Sequence, residues 1–155
     1  MTIDLISRGL AAASDTSVVE VGRGVLAASG TILRDALFAD GKPALVVADD
    51  RTWAAAGKAV HESLVAAGVE VLEPMIFPGH PVLYAALENC DIIHTRLADS
   101  GALGVAVGSG TINDLVKLAS GQLGQPYGVV GTAASMDGYS GFGAPMSSEL
   151  SLIHI

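Results

Sequence analysis

Apolar residues in this chain follow two patterns: short unbroken runs, and longer stretches in which they recur every three or four positions. The clearest run is Ala44-Leu45-Val46-Val47-Ala48, lying between turn signals as a buried parallel strand would. It ends in Asp49-Asp50, and the next stretch, 52–67, spaces Trp53, Ala56, Val60, Leu64 and Ala67 as one helix face until Gly68. Segments 18–21, 69–72, 105–107 and 127–130 predict further strands. Segment 32–38 predicts a short helix ended by Asp40-Gly41, with Pro43 preventing its continuation. Helices are also expected over 82–97, with Leu83, Leu87 and Ile93 buried, and over 111–119; the Pro- and Gly-rich 74–81 reads as a loop. Strands alternating with helices at this spacing imply right-handed crossovers. The expected fold is α/β, a Rossmann-like, mostly parallel sheet with flanking helices.

Composition narrows the class. At 155 residues the chain is one domain by length, and 50% hydrophobic with only 5% aromatic residues suits close packing of helices on a sheet. The net charge of −8, from 16 acidic and 8 basic residues, argues against nucleic acid as a partner, since no basic excess is present to displace counterions. A single cysteine, Cys90, excludes an internal disulfide and is compatible with a reducing cytoplasm; within a helical pattern it reads as a packing residue. Asp4 and Arg8 interrupt the first apolar residues, so no secretory signal is read there, and no apolar run reaches the ~18 residues of a spanning helix. A soluble, cytoplasmic protein with no membrane partner is expected.

The chemistry concentrates between 104 and 143. Two glycine turns, Gly108-Ser109-Gly110 and Gly131-Thr132, each follow a short apolar run, and the first opens a helix. Bare backbone N–H groups at a helix start suit a phosphate or pyrophosphate, and glycine permits its close approach. The second turn leads into Ala134-Ser135-Met136-Asp137-Gly138, which puts a carboxylate beside that anion seat. Asp49, at the end of its strand, reads either as a ribose acceptor or as a helix N-cap, a role Asp50 could take instead. Lys117 and His61 read as surface residues and His80 as a loop residue that could lie near the site. Ser135 has no His–Asp pattern around it, and GxxxxGK[ST] is absent.

Gly108-Ser109-Gly110-Thr111-Ile112-Asn113-Asp114 and Thr132-Ala133-Ala134-Ser135-Met136-Asp137-Gly138-Tyr139 together resemble the pyrophosphate loop and the TAxSMDGY loop of the iron-containing alcohol dehydrogenase superfamily. The likeness is nearest to its sn-glycerol-1-phosphate dehydrogenase branch and runs from about 18 to 144. It implies that Gly108, Ser109, Gly110 and Thr111 hold the pyrophosphate of NAD(P), and that Asp114 steadies the loop or contacts the cofactor. Thr132 and Ser135 would line the nicotinamide side, Asp49 would bind the adenosine ribose, and Asp137 would contact substrate hydroxyls. A carboxylate at Asp49 would repel a 2′-phosphate, so NAD is favoured over NADP. The implied reaction reduces dihydroxyacetone phosphate to sn-glycerol 1-phosphate. A glycerol dehydrogenase-like polyol oxidoreductase, and for the isolated chain a non-catalytic NAD-binding domain, are the alternatives.

The resemblance also implies a divalent metal, Zn2+, acting as a Lewis acid. In the family one Asp and two His of a C-terminal helical domain hold it, and His61, His80, His94 and His154 match none of these contexts. No catalytic or metal-binding residue is therefore assigned within the chain. The expectation is a nucleotide-binding domain over 1–146 from a longer, homo-oligomeric parent enzyme, lacking the metal domain. Gly141 stands where the family commonly has Ser, which removes a hydroxyl contact. Residues 147–155 read as a foreign or truncated tail, with a short native closing strand as the alternative. Apolar surface is expected to be exposed around Phe142 and Met146.

Overall fold

The structure, a computed structural model, describes residues 2–136, 138–140, 144–148 and 151–154. Helices α1 (Thr2–Ala12) and α2 (Val25–Leu37) precede strand β1 (Ala44–Asp49). Three consecutive helical segments follow: α3 (Asp50–Thr52), a π-helical turn (Trp53–Gly57) and α4 (Lys58–Ala66). Next come β2 (Met75–Phe77), α5 (Leu87–Ser100), β3 (Leu103–Gly108), α6 (Gly110–Gln122) and β4 (Gly128–Gly131). A 3-10 turn (Gly138–Ser140) and an antiparallel pair, β5 (Pro145–Ser148) with β6 (Ser151–His154), complete the described chain.

The fold is α/β, with a four-stranded sheet in the order β2-β1-β3-β4 whose neighbours are all parallel. Strand side chains alternate between its two faces. On one face Val46, Ala48, Val105 and Val107 pack with Phe38, Val60 and Leu64 of the α2–α4 side. On the other, Leu45, Val47 and Ala106 pack with Cys90, Ile93 and Leu97 of α5 and with Leu115 and Val116 of α6. β1 and β3 are covered on both faces, which explains their unbroken apolar sequences. Cys90 is fully buried there, and burial, with Asp91 adding to it, pushes its thiol up to about 11, so it packs and does not attack.

Several boundaries differ from the sequence reading. Segment 18–21 is exposed and forms no strand, because no neighbouring chain offers it a ladder. Segment 69–72 contributes one bridge, Val71 to Ala44, while the paired strand β2 lies inside the stretch read as a loop. As an edge strand β2 tolerates Pro74 immediately before it. Helix α2 starts seven residues earlier than 32, after Gly24 at φ 80, and α5 starts at Leu87 and runs on to Gly101 at φ 67. Helix α1 was not anticipated.

Met146 is fully buried, against the expectation that it lies exposed. It joins the α5–α6 core, and the Ser147 N–H donates to the Ala85 carbonyl at 2.7 Å, docking β5 beside the approach to α5. Phe142 lies outside the described residues. Among the described residues no helix is long and apolar enough to cross a membrane.

Candidate nucleotide site

The chain runs from β1 outward to β2, then crosses to β3 on the other side of β1, so strand order reverses between β1 and β3. In open α/β sheets the crevice beyond the carboxyl ends of the strands at such a reversal is the ligand-binding position. Val47 pairs with Ala106, so Asp49 and Gly108, each two residues further on, reach that crevice together. Gly108 in turn pairs with Gly131 of β4, and the Thr132 N–H donates to the Gly108 carbonyl at 3.0 Å. The structure thus brings Asp49 and both glycine turns to one end of the sheet.

Ser109 is the N-cap of α6 in extended conformation, and its side chain makes no capping hydrogen bond. Helix geometry leaves the first N–H groups of α6, on Gly110, Thr111 and Ile112, without intrahelical acceptors. Together with the helix dipole they form an anion seat. Gly108 needs its missing side chain, since a Cβ there would lie 2.9 Å from Ile112 Cβ. A Cβ on Gly110 would lie 3.1 Å from Met136 Cε and 3.2 Å from its sulfur, so Met136 brings the 132–136 loop directly over the helix start. Uncapped donors and a bare-backbone approach fit a pyrophosphate.

Asp49 does cap a helix. Its Oδ1 accepts from the Thr52 N–H at 2.8 Å, while its own N–H donates to Thr52 Oγ1 at 3.0 Å, a reciprocal capping box. Asp50 does not take that role; its carboxylate lies against Gly79. The cap occupies one carboxylate oxygen, Oδ1.

Behind the anion seat is a polar cluster that the motif reading did not single out. Asn113 is fully buried on α6, accepting from the Tyr127 hydroxyl at 2.9 Å and donating to the Gly138 carbonyl at 3.4 Å. Burial, reinforced by Asp114, pushes the Tyr127 hydroxyl up to about 12. Lys117 is not a solvated charge: it is 16% exposed, donates to the Gly138 carbonyl at 3.2 Å and lies 3.9 Å from Asp114. The i, i+4 spacing of Asn113 and Lys117 put both on one helix face, and that was the available signal. His61 is half-buried against the edge of Trp53, not a free surface residue. His80 is exposed in its loop.

Thr132 and Ser135 are exposed on the loop after β4, and Thr111 and Asp114 are half-buried on the first two turns of α6. Asp137 and Gly141 lie outside the described residues. A surface depression of about 520 Å³, lined by Arg34, Lys42 and Glu70 among others, lies at the amino ends of the strands. It is remote from this crevice and carries no convergent chemistry. Among the described residues no three or more His, Cys, Asp or Glu come together as a metal site.

This arrangement defines a dinucleotide-fold domain. The sequence model described as iron-containing alcohol dehydrogenase matches residues 20–153, and the chain belongs to that family. A glycerol-1-phosphate dehydrogenase (NAD(P)+) from Bacillus velezensis is 34% identical over 104 residues, covering 66% of this chain and 26% of that protein. One from Methanosarcina acetivorans is 39% identical over 121 residues, covering 77% of this chain and 32% of that protein. The crystal structure of glycerol dehydrogenase from Schizosaccharomyces pombe shares the fold, with a TM-score of 0.65 at 20% identity over 83% of this chain and 32% of that one. The matched segments thus span about a quarter to a third of these relatives' length.

Proposed function

We propose that this chain is the NAD(P)-binding part of a metal-dependent dehydrogenase that reduces dihydroxyacetone phosphate to sn-glycerol 1-phosphate. The observation that carries the reading is the uncapped start of α6 at the β1/β3 reversal, faced by the Thr132–Met136 loop. The names of the curated relatives and the Thr132–Tyr139 motif support the substrate.

In this reading Gly108, Ser109, Gly110 and Thr111 hold the pyrophosphate, and Asp49 accepts from the adenosine ribose. Thr132 and Ser135 line the nicotinamide side, Asp114 steadies the loop through Lys117, and Asp137 contacts the substrate hydroxyls. The cofactor supplies the hydride. The divalent metal would be held by residues outside these 155 and would polarise the substrate oxygen. The negative charge of Asp49 disfavours a 2′-phosphate, so NAD is the favoured form.

The test is calorimetric titration of the chain with NAD beside its Gly110→Val variant. A branched side chain at Gly110 meets Met136 and fills the approach to the helix start. Affinity should fall at least about tenfold, or about 1.4 kcal/mol. Equal affinity in the two proteins would remove the anion seat from the reading.

A further inference from the structure

We infer that Tyr139 is a positioning residue for the pyrophosphate turn: its hydroxyl locks the Gly108–Ser109 peptide so that the Ser109 N–H faces the bound anion. The inference rests on the nucleotide-binding reading above.

The Tyr139 oxygen lies 3.3 Å from the Gly108 carbonyl and 3.1 Å from the Ala133 carbonyl, and it accepts from the Ala133 N–H at 3.2 Å. Its single proton is shared between the two carbonyls, so one hydroxyl ties the end of β3 to the loop after β4. The ring is seated on Gly131, where a Cβ would lie 2.7 Å from Tyr139 Cζ. Gly131 is also the register partner of Gly108. Ring and hydroxyl therefore act at the same level of the sheet.

The consequence follows from peptide planarity. In a trans peptide the carbonyl and the following N–H point in opposite directions. The Gly108 carbonyl is drawn toward β4 by two donors, the Thr132 N–H and the Tyr139 hydroxyl. The Ser109 N–H must then point away from them, adding a donor beside those of Gly110 and Thr111. Glycine at 108 would otherwise allow this peptide to rotate. Thr132 alone holds the carbonyl with a single bond, so the hydroxyl contributes order where the cofactor needs it.

The experiment compares wild type with Tyr139→Phe, each first checked for its folded state by circular dichroism, using NAD, ADP-ribose, inorganic pyrophosphate and adenosine as titrants. Removing one neutral hydrogen bond should weaken NAD, ADP-ribose and pyrophosphate by about three- to tenfold and leave adenosine unchanged. The 15N–1H resonance of the ligand-free Ser109 amide should shift in the variant. A merely structural role would lower the melting temperature without this ligand-selective loss. Equal affinities in the two proteins, or an equal loss for adenosine, overturns the inference while the nucleotide reading stands. Failure of wild type to bind NAD overturns both. Gly131→Ala provides a second variant, since its methyl displaces the ring; it should reproduce the phosphate-selective loss, and unchanged pyrophosphate affinity in it counts against the tie.

Discussion

Gly30 of α2 lies directly against the backbone carbonyl of Ser63 in α4, and its N–H donates to the Ser63 hydroxyl at 2.9 Å. The same hydroxyl donates onward to the Ala27 carbonyl at 3.0 Å, so one serine joins two turns of the neighbouring helix. The two helices cover the sheet face that holds Val46, Ala48 and Val105. Their separation is set by the absence of a side chain at Gly30, where a Cβ would overlap the Ser63 carbonyl.

Gly30→Ala should therefore destabilise the fold despite alanine's better helix propensity. Forcing packed helices apart costs about 1–3 kcal/mol, against about 1 kcal/mol gained from propensity. The net loss, up to about 2 kcal/mol, should lower the melting temperature by up to roughly 8 °C for a chain of this size. Differential scanning calorimetry decides it, and a rise in melting temperature would show that the crossing can relax.

Asp49 has two separable properties, a hydrogen-bond acceptor that caps α3 and a negative charge at the crevice. Asp49→Asn keeps the acceptor for the Thr52 N–H and removes the charge. Stability should change by less than about 0.5 kcal/mol, while the preference for NAD over NADP narrows several-fold. Asp49→Ala should in addition lose about 1 kcal/mol of stability from the missing cap. Parallel titrations with NAD and NADP, with urea denaturation of each variant, test both halves. An unchanged NAD/NADP ratio in Asp49→Asn would reduce Asp49 to a cap.

What the sequence made legible follows the range of the forces involved. β1 was readable because a fully buried strand needs apolar residues on both faces, and Ala44–Ala48 supplies them without interruption. The glycine turn at 108–110 was readable because its chemistry is local: an apolar strand end, small residues and a helix start. β2 was not, because three residues between Pro74 and Pro78 pair only through their neighbour β1. Segment 18–21 misled for the converse reason, having β-branched residues but no partner strand. Lys117 and Tyr139 acquire their roles from Gly138 and Gly108, 21 and 31 residues away, contacts that no local pattern encodes.

Tyr127 gives a pH dependence whose sign is fixed. Its folded pKa rises from 10.0 to about 12, chiefly through burial and secondarily through Asp114. Folding thus favours the protonated phenol, which donates to Asn113. The stabilisation is complete below pH 10 and is lost as the pH rises toward 12. Urea midpoints should fall between pH 10 and 12 as tyrosinate absorbance at 295 nm appears. In Tyr127→Phe the midpoint should start lower, since Asn113 loses its donor, and decline less over the same interval. A parallel decline in both proteins would assign the alkaline transition to other groups.

The 155 residues by themselves should bind NAD yet turn over no substrate. Reducing a ketone places negative charge on its oxygen in the transition state, and in the proposed mechanism a divalent metal carries that charge. Its loss removes several kcal/mol of transition-state stabilisation. The chain's match covers only 26% of the Bacillus velezensis relative and 32% of the Methanosarcina acetivorans one, so most of such an enzyme lies outside it. The proposed nucleotide crevice, by contrast, is assembled from β1, β3, β4 and α6, all within the chain. Binding and turnover should therefore separate. NADH consumption with dihydroxyacetone phosphate and added Zn2+ should be at background for this chain and metal-dependent for a chain extended to the length of its relatives. Metal-dependent turnover by the short chain would require ligands within these residues and would overturn the assignment of the metal site elsewhere.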